Sequence, residues 1–184
     1  MRHKFIAERE DSLLLIVDVQ QVMLKVIDVW KEIADRIDQL IRAANLLGVP
    51  ILVTEHYKKG LGETIPDISG KLKDATIFQK EYFSACMEDS FLDTVRKFGR
   101  RKIIVTGMET HVCVLQTSLD LAASGFQLQV VKNAVASRRK QDWVTALDIF
   151  REAGAVITTA ETVIFQWACR SNTDEFRKIL PIVK

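Results

Sequence analysis

The sequence predicts an α/β protein in three layers, with a mainly parallel sheet between two layers of helices. Short, continuous apolar runs recur along the chain, which is typical of strands that are covered on both faces. These runs cover residues 13–17, 51–53, 103–105 and 128–131. Between them lie longer stretches with helical spacing. This alternation of strand and helix favours a parallel sheet over an antiparallel one.

The first long helix is predicted from apolar residues that fall on one helical face. The pattern ends at Gly48, just before Pro50, and glycine suits the left-handed residue that follows many helices. The same change from helix to strand recurs at Gly99, Gly125 and Gly154. The apolar positions of the first helix are Ile33, Ile37, Leu40, Ile41 and Ala44.

Composition favours one domain covering residues 1–184. The chain has 184 residues, of which 48% are hydrophobic, and this is enough to bury a sizeable core. The formal net charge of +2 provides no large field for a polyanion, so we expect no nucleic-acid partner. The longest early apolar run, 13–17, is too short to span a bilayer, so we expect no membrane partner. Three widely spaced cysteines match no disulfide framework and favour a reducing, cytoplasmic location.

Three residues with chemical potential follow predicted strands. Asp18 ends the first apolar run, Lys80 ends a short predicted strand over 76–79, and Cys113 follows the 103–105 run after a turn. Ligands of an open parallel sheet bind beyond the carboxyl ends of its strands. Each residue also has a simpler interpretation: Asp18 as a cap or salt-bridge partner, Lys80 as a surface lysine, and Cys113 as a small buried apolar residue.

If the three side chains meet, they can act as nucleophile, base and electrostatic stabiliser. A helix N-terminus and a nearby ammonium lower the pKa of a thiol from about 8.5, so we expect Cys113 to be reactive near neutral pH. Lys80 would offset the charge of a tetrahedral intermediate, and backbone N–H groups at the same turn would bind its oxyanion.

Three motifs, in this order and spacing, resemble the isochorismatase-like cysteine hydrolases. They are 15–20 (Leu-Ile-Val-Asp-Val-Gln), 80–84 (Lys-Glu-Tyr-Phe-Ser) and 105–114 (Val-Thr-Gly-Met-Glu-Thr-His-Val-Cys-Val). The likeness extends over about residues 13–165 and is closest to the small single-domain branch.

The resemblance implies a Rossmann-like sheet of six mainly parallel strands and a catalytic triad of Asp18, Lys80 and Cys113. It also implies an oxyanion hole formed by the backbone of Glu109 and Cys113, and a non-proline cis peptide between Met108 and Glu109. Asp18 would take the thiol proton while Cys113 attacks a carbonyl, and water would then hydrolyse the acyl-enzyme. Family members commonly self-associate, so we expect a homo-oligomer.

Two departures from the family pattern bear on the substrate. Nicotinamidases of the family bind a metal through an Asp-x-His pair and a further His. This chain has Thr54 at the first of these positions and only His56 nearby, so we expect no metal and no other cofactor. Asn133 replaces the usual Asp after the fifth strand, and we expect altered hydrogen bonding there without loss of activity.

The leading hypothesis is therefore a hydrolase that cleaves the C–N bond of a small amide, ureide or carbamoyl compound. The expected pocket residues are Gln20, His56, Tyr82 and Phe83, with specificity set by a long irregular segment over 57–71. One alternative is a binding or scaffold protein that retains the fold with little or no hydrolysis. A third is nucleic-acid binding through the basic run 137–140, although such a run more often forms a solvated turn.

Overall fold

The computed structural model describes residues 2–184. A six-stranded sheet forms its centre, every strand pair is parallel, and the strand order is β3-β2-β1-β4-β5-β6. The predicted αβα fold and the parallel strands are thus confirmed. The strands are β1 (Ser12–Val17), β2 (Ile51–His56), β3 (Thr76–Lys80), β4 (Lys102–Met108), β5 (Gln127–Ala136) and β6 (Val156–Thr158).

Eight α-helices connect or follow these strands within residues 2–184. The chain also forms 3₁₀ turns at Arg9–Asp11, Gln21–Lys25 and Ala85–Met87, and a π-helical turn at Thr110–Val114. The helices are α1 (Trp30–Leu47), α2 (Lys58–Leu61), α3 (Pro66–Ser69), α4 (Phe91–Lys97), α5 (Leu115–Ala123), α6 (Lys140–Glu152), α7 (Ala160–Ala168) and α8 (Asp174–Val183).

The core has two halves, one on each face of the sheet. β1 shows why, because its side chains alternate between the faces. Leu14 and Ile16 pack in the half that contains α1, α7 and α8, whereas Leu13, Leu15 and Val17 pack in the half that contains α4, α5 and α6. Burying each such side chain contributes about 1.5–3 kcal/mol. An uninterrupted apolar run is therefore what a central strand of this sheet needs.

The predicted helix ends are confirmed. Gly48 has a φ of 71° and its N–H donates to the carbonyl of Ala44, which closes α1 in the left-handed conformation. Gly99, Gly125 and Gly154 also have positive φ. The predicted irregular segment over 57–71 is more ordered than expected, because α2 and α3 lie within it.

The three tryptophans lie on helices and differ in burial. Trp167 is completely enclosed in the core, and Trp30 and Trp143 are half-buried at its margins. No helix within residues 2–184 combines the length and hydropathy needed to cross a membrane.

Candidate active site

The carboxyl edge of the sheet brings the three predicted residues together. Asp18 follows β1, Lys80 ends β3, and Cys113 lies in the π-helical turn after β4. From β1 the strand order runs in both directions across the sheet, with β2 and β3 on one side and β4, β5 and β6 on the other. Ligand sites of open α/β sheets form at such a point.

Asp18 and Lys80 form a buried ion pair. Lys80 Nζ lies 2.7 Å from Asp18 Oδ2, and their side chains are 0% and 1% exposed. The lysine also donates to the carbonyls of Tyr82 and Phe83, each at 3.3 Å. The interpretation of Lys80 as a surface lysine is therefore wrong. Burial of a single charge is costly, and this explains why each of these two enclosed charges has the other as its partner.

Thr54 supplies a contact that the sequence interpretation missed. Its hydroxyl donates to Asp18 Oδ1 at 2.6 Å, and both groups are buried. Oδ2 has no aligned hydrogen-bond donor among residues 2–184, so its contact with Lys80 is an ion pair and leaves a lone pair open. The signal was present in the sequence, since Thr54 directly follows the apolar run 51–53, as Asp18 follows 13–17.

Cys113 lies next to this pair. Its Sγ, a carboxylate oxygen of Asp18 and a ring nitrogen of His56 are all within 4.8 Å of one another. Burial, and then the charge of Asp18, raise the pKa of the Cys113 thiol to about 12, against the opposing influence of Lys80. The expectation of a lowered thiol pKa is wrong, because burial and the negative charge of Asp18 together outweigh the positive charge of Lys80. The resting side chain is a neutral thiol at neutral pH.

The turn before Cys113 is formed without a cis peptide. Residues 2–184 contain no cis bond, so the predicted bond between Met108 and Glu109 is corrected to trans. Two residues near this point have positive φ: Gly107, within β4, at 136°, and Glu109, just after it, at 58°. A Cβ on Gly107 would lie 2.2 Å from the carbonyl oxygen of Val17, so only glycine fits against β1.

Glu109 is held by its side chain as well as by its backbone. Its buried carboxylate accepts a hydrogen bond from the Arg138 backbone N–H at 3.0 Å and pairs with the Arg138 guanidinium at 3.1 Å. His111 lies beside it and bonds Ser137 at 2.9 Å. The turn that leads to Cys113 is therefore tied to the end of β5. Part of the basic run 137–140 thus has a structural role here.

The expected pocket residues separate into two groups. Gln20 is buried, and its side-chain amide binds the backbone of the loop over 56–62. It donates to the carbonyls of His56 and Gly62 and accepts from the His56 N–H. We therefore correct its role from substrate binding to holding the loop. Glu55 assists by accepting from the backbone and hydroxyl of Thr64.

His56, Tyr82 and Phe83 remain available around the site. The His56 ring lies 5.4 Å from the Phe83 ring, centroid to centroid, and burial followed by the charge of Lys80 lowers the His56 pKa. Tyr82 and Phe83 are more than half exposed. An apolar rim therefore lies beside a buried polar centre, which is how pockets for small molecules are commonly lined.

The side chain of Asn133 caps the start of α7. Its side-chain oxygen accepts a hydrogen bond from the N–H of Ala160 at 3.0 Å, at the start of α7. The residue takes no part in the cluster around Cys113, and the absence of an effect on activity stays a prediction.

A cleft in the surface lies away from the triad. It has a volume of about 820 Å³ and lies between the start of α1 and the end of β5, with Glu32, Arg36, Arg138 and Trp143 in its wall. None of Asp18, Lys80 and Cys113 lines it.

The donor set of the nicotinamidase metal site does not fit this structure. Thr54 occupies the position of the aspartate, and its hydroxyl is committed to Asp18. His3, the remaining histidine besides His56 and His111, contacts Phe5 near the start of the chain.

Comparison with known proteins identifies the family of this chain. A family model described as the isochorismatase domain matches residues 12–162. Isochorismatase family protein 1B of Dictyostelium discoideum is 35% identical over 95% of this chain and 87% of its own length. The secreted isochorismatase effector Isc1 of Phytophthora sojae is 36% identical over 94% of this chain and 84% of its own length.

Solved structures give the same result. The MAR1 ribonuclease of Caenorhabditis elegans is 36% identical and superposes with a TM-score of 0.89, covering 96% of this chain and 91% of its own. With a matched fold, a family model over most of the chain and relatives above 30% identity, this chain belongs to the isochorismatase family.

Proposed function

We propose that this chain is a cysteine hydrolase that cleaves the C–N bond of a small amide, ureide or carbamoyl compound. The observation that carries the proposal is the convergence of Cys113 Sγ with a buried Asp18 carboxylate that is paired with Lys80 at 2.7 Å. Family membership supports hydrolysis in general. The substrate class and the roles below are our inference.

Asp18 is the proposed base, and Oδ2 is the oxygen that takes the proton. Thr54 occupies Oδ1, whereas Oδ2 faces Lys80 without an aligned donor. Because the thiol is neutral at rest, its proton must leave as sulfur attacks the carbonyl carbon. Protonation neutralises Asp18, and the ammonium of Lys80 loses its anionic partner. Lys80 then stabilises the negative charge of the tetrahedral intermediate instead.

Collapse of the intermediate completes the first half of the reaction. The C–N bond breaks, Asp18 returns its proton to the leaving nitrogen, and a thioester remains on Cys113. We place the oxyanion on backbone N–H groups of Glu109 and Cys113, since the left-handed Glu109 and its tie to Arg138 hold that turn in one conformation. Water then attacks the thioester and Asp18 takes its proton. The C–S bond breaks, Asp18 returns the proton to the sulfur of Cys113, and the carboxylic acid is released.

Tyr82, Phe83 and His56 are the proposed substrate contacts. They surround the polar centre with aromatic surface, and this suits a compact substrate with one planar polar group. We further propose a single domain over residues 1–184, a cytoplasmic location, and self-association. We also propose that hydrolysis requires no cofactor.

The test is a search for an acyl adduct on Cys113. The protein is incubated with a panel of small amides, ureido acids and carbamates, and the Cys113 peptide is examined by mass spectrometry. We expect an adduct with at least one compound, and Cys113→Ala should abolish both adduct and turnover. Cys86→Ser is the matched control, because Cys86 Sγ contacts the Thr117 carbonyl away from the centre.

Turnover that survives Cys113→Ala in a clean preparation would refute the nucleophile. Complete absence of adducts and turnover across the panel would favour a binding or scaffold protein instead. Slow alkylation of Cys113 by iodoacetamide does not separate these two cases, because burial and the charge of Asp18 already raise the thiol pKa to about 12.

Ribonuclease activity is a second candidate, favoured by one observation. The MAR1 ribonuclease of Caenorhabditis elegans is 36% identical to this chain over almost its full length. The enclosed triad argues against a polymer substrate at Cys113, and Arg138 of the basic run is paired with Glu109. Degradation of a labelled RNA that is unchanged in Cys113→Ala and abolished by Arg139→Ala would support this candidate over amide hydrolysis.

A further inference from the structure

Three potential metal ligands converge at the centre of the site. A carboxylate oxygen of Asp18, a ring nitrogen of His56 and Cys113 Sγ lie within 4.8 Å of one another. His56 Nδ1 is shielded from solvent and has no hydrogen-bond partner within residues 2–184, whereas Asp18 Oδ2 already has the Lys80 ammonium as its partner at 2.7 Å. The proposed hydrolysis makes no use of Nδ1. A buried acceptor without a donor is costly, and this cost is removed if a cation binds there.

The identity of the three donors selects the class of cation. A thiolate and an imidazole favour Zn²⁺ over Mg²⁺ or Ca²⁺, which prefer oxygen ligands. In tetrahedral zinc sites the metal lies about 2.3 Å from sulfur and about 2.0–2.2 Å from nitrogen and oxygen. These bonds place ligand atoms roughly 3.3–3.8 Å apart. Side-chain shifts of about 1 Å or less therefore suffice.

We propose that Asp18, His56 and Cys113 form a Zn²⁺ site that competes with the use of Cys113 as a nucleophile. Binding converts the thiol to a zinc-bound thiolate and releases one proton to solvent, with no change in oxidation state. The set differs from the Asp-x-His pair and further His of the nicotinamidases, because it uses the proposed nucleophile and base themselves.

Lys80 limits the affinity of this site. Its ammonium lies 2.7 Å from Asp18 Oδ2 and repels a second cation, although it keeps the carbonyls of Tyr82 and Phe83 as partners. The site should therefore be a reversible one and weaker than a structural zinc centre. Lys80→Met, which removes the competing charge, should bind Zn²⁺ more tightly than the wild type.

The primary test measures metal binding without any substrate. The full chain, freed of metal with a chelator, is titrated with Zn²⁺ against a colorimetric zinc indicator, and with Mg²⁺ in parallel. We expect about one Zn²⁺ per chain, bound at least tenfold more tightly than Mg²⁺. Co²⁺ used as a probe should give a thiolate-to-metal charge-transfer band in the near ultraviolet.

Variants locate the site and exclude adventitious binding. His56→Gln should weaken Zn²⁺ binding about tenfold or more, and Cys113→Ser should remove the charge-transfer band. Cys86→Ser and Cys169→Ser should change neither. Circular dichroism checks folding, and in the wild type Zn²⁺ should slow alkylation of Cys113 but not of the exposed Cys169.

Three results would overturn the proposal: Zn²⁺ bound no more tightly than Mg²⁺, a band that persists in Cys113→Ser, or equal affinity in His56→Gln and the wild type. The last two would indicate an adventitious surface ion only. Because binding is read without turnover, these outcomes are separate from those of the acyl-adduct test. If the chain binds Zn²⁺ but hydrolyses no substrate, the proposed zinc site is supported. Only the proposed competition between Zn²⁺ and the nucleophilic use of Cys113 is then rejected.

Discussion

Two buried lysines lie at opposite edges of the sheet, and their surroundings differ. Lys102 begins β4 at the amino edge, where its ammonium donates to the carbonyl of Ile6 at 2.9 Å. Its acidic neighbours are 3.7 Å (Asp11) and 3.9 Å (Glu8) away and partly exposed. Lys80 ends β3 at the carboxyl edge, where its acidic partner Asp18 is fully enclosed at 2.7 Å.

The difference shows which buried charge is structural and which is available for chemistry. At the amino edge, Asp11 has a second partner in Arg101, so every group is satisfied and solvent is close. At the carboxyl edge, Thr54 and Lys80 engage the two oxygens of Asp18, and the carboxylate lies beside the thiol of Cys113. Burial alone does not mark a candidate reactive site, but a buried ion pair beside a nucleophile does.

The largest expected effect comes from removing each lysine in turn. Lys80→Met leaves the Asp18 carboxylate buried without its ion pair, and we expect a loss of about 3–5 kcal/mol in the free energy of unfolding. Lys102→Met leaves Asp11 paired with Arg101 and should cost about 1–2 kcal/mol. Urea unfolding measures both, and equal losses would contradict the distinction between the two edges.

The hydrolysis rates of the same two variants provide a second test of the difference between Lys80 and Lys102. Lys80→Met should reduce hydrolysis of any substrate found by the adduct screen by about 100-fold or more, whereas Lys102→Met should stay near the wild type. A comparable loss in both variants, at temperatures where both are folded, would show that the amino edge matters to the chemistry as well.

A smaller effect is expected from Thr54→Val, which keeps shape and removes the donor to Asp18. We expect a loss of about 1.5–3 kcal/mol because the bond is to a charged group. Thr106→Val is the matched control: Thr106 is also buried in the sheet, but it donates to the neutral carbonyl of Leu15. That variant should lose about 0.5–1.5 kcal/mol. A larger loss for Thr106→Val would reverse the proposed ranking.

The smallest effect concerns the loop that follows Lys80. Glu88 accepts hydrogen bonds from the backbone N–H groups of Tyr82 and Glu81, and these bonds lower the Glu88 pKa below its ordinary value of 4.5. A lowered folded-state pKa stabilises the fold above about pH 4.5, and this is lost as pH falls through the folded pKa. Glu88→Gln should therefore be less stable than the wild type near pH 7.

Acid should reduce the gap between wild type and Glu88→Gln, as measured by thermal unfolding between about pH 3 and pH 7. Asp89→Asn is the neighbouring control, since Asp89 is exposed, and its stability should follow the wild type across this range. A gap that widens on acidification would contradict the assigned direction of the Glu88 shift.

The sequence predicted the sheet well because the signals were local. Uninterrupted apolar runs predicted β1, β2, β4 and β5, and glycines predicted the helix ends. Asp18, Lys80 and Cys113 were placed at one edge by the topology of a parallel sheet, before any distance was known. Thr54 was overlooked although it follows a strand in the same way.

Other expectations failed for reasons that are not local. The pKa of the Cys113 thiol depends on the depth of burial and on the balance between the charges of Asp18 and Lys80. Gln20 looked like a pocket residue until its amide was found on the backbone of a loop about 40 residues away. The bond between Met108 and Glu109 is trans, and the close approach of Gly107 to Val17 of β1 depends on packing between separate strands.

The amino-acid order by itself determined which segments became buried strands and which side chains reached their carboxyl ends, because periodicity and chain direction are encoded residue by residue. Only the tertiary structure decided which acceptors remained open, how the charges were paired and whether the sulfur was ionised. Those properties depend on distances between side chains from separate strands and on exclusion of water, and both arise only when the layers pack.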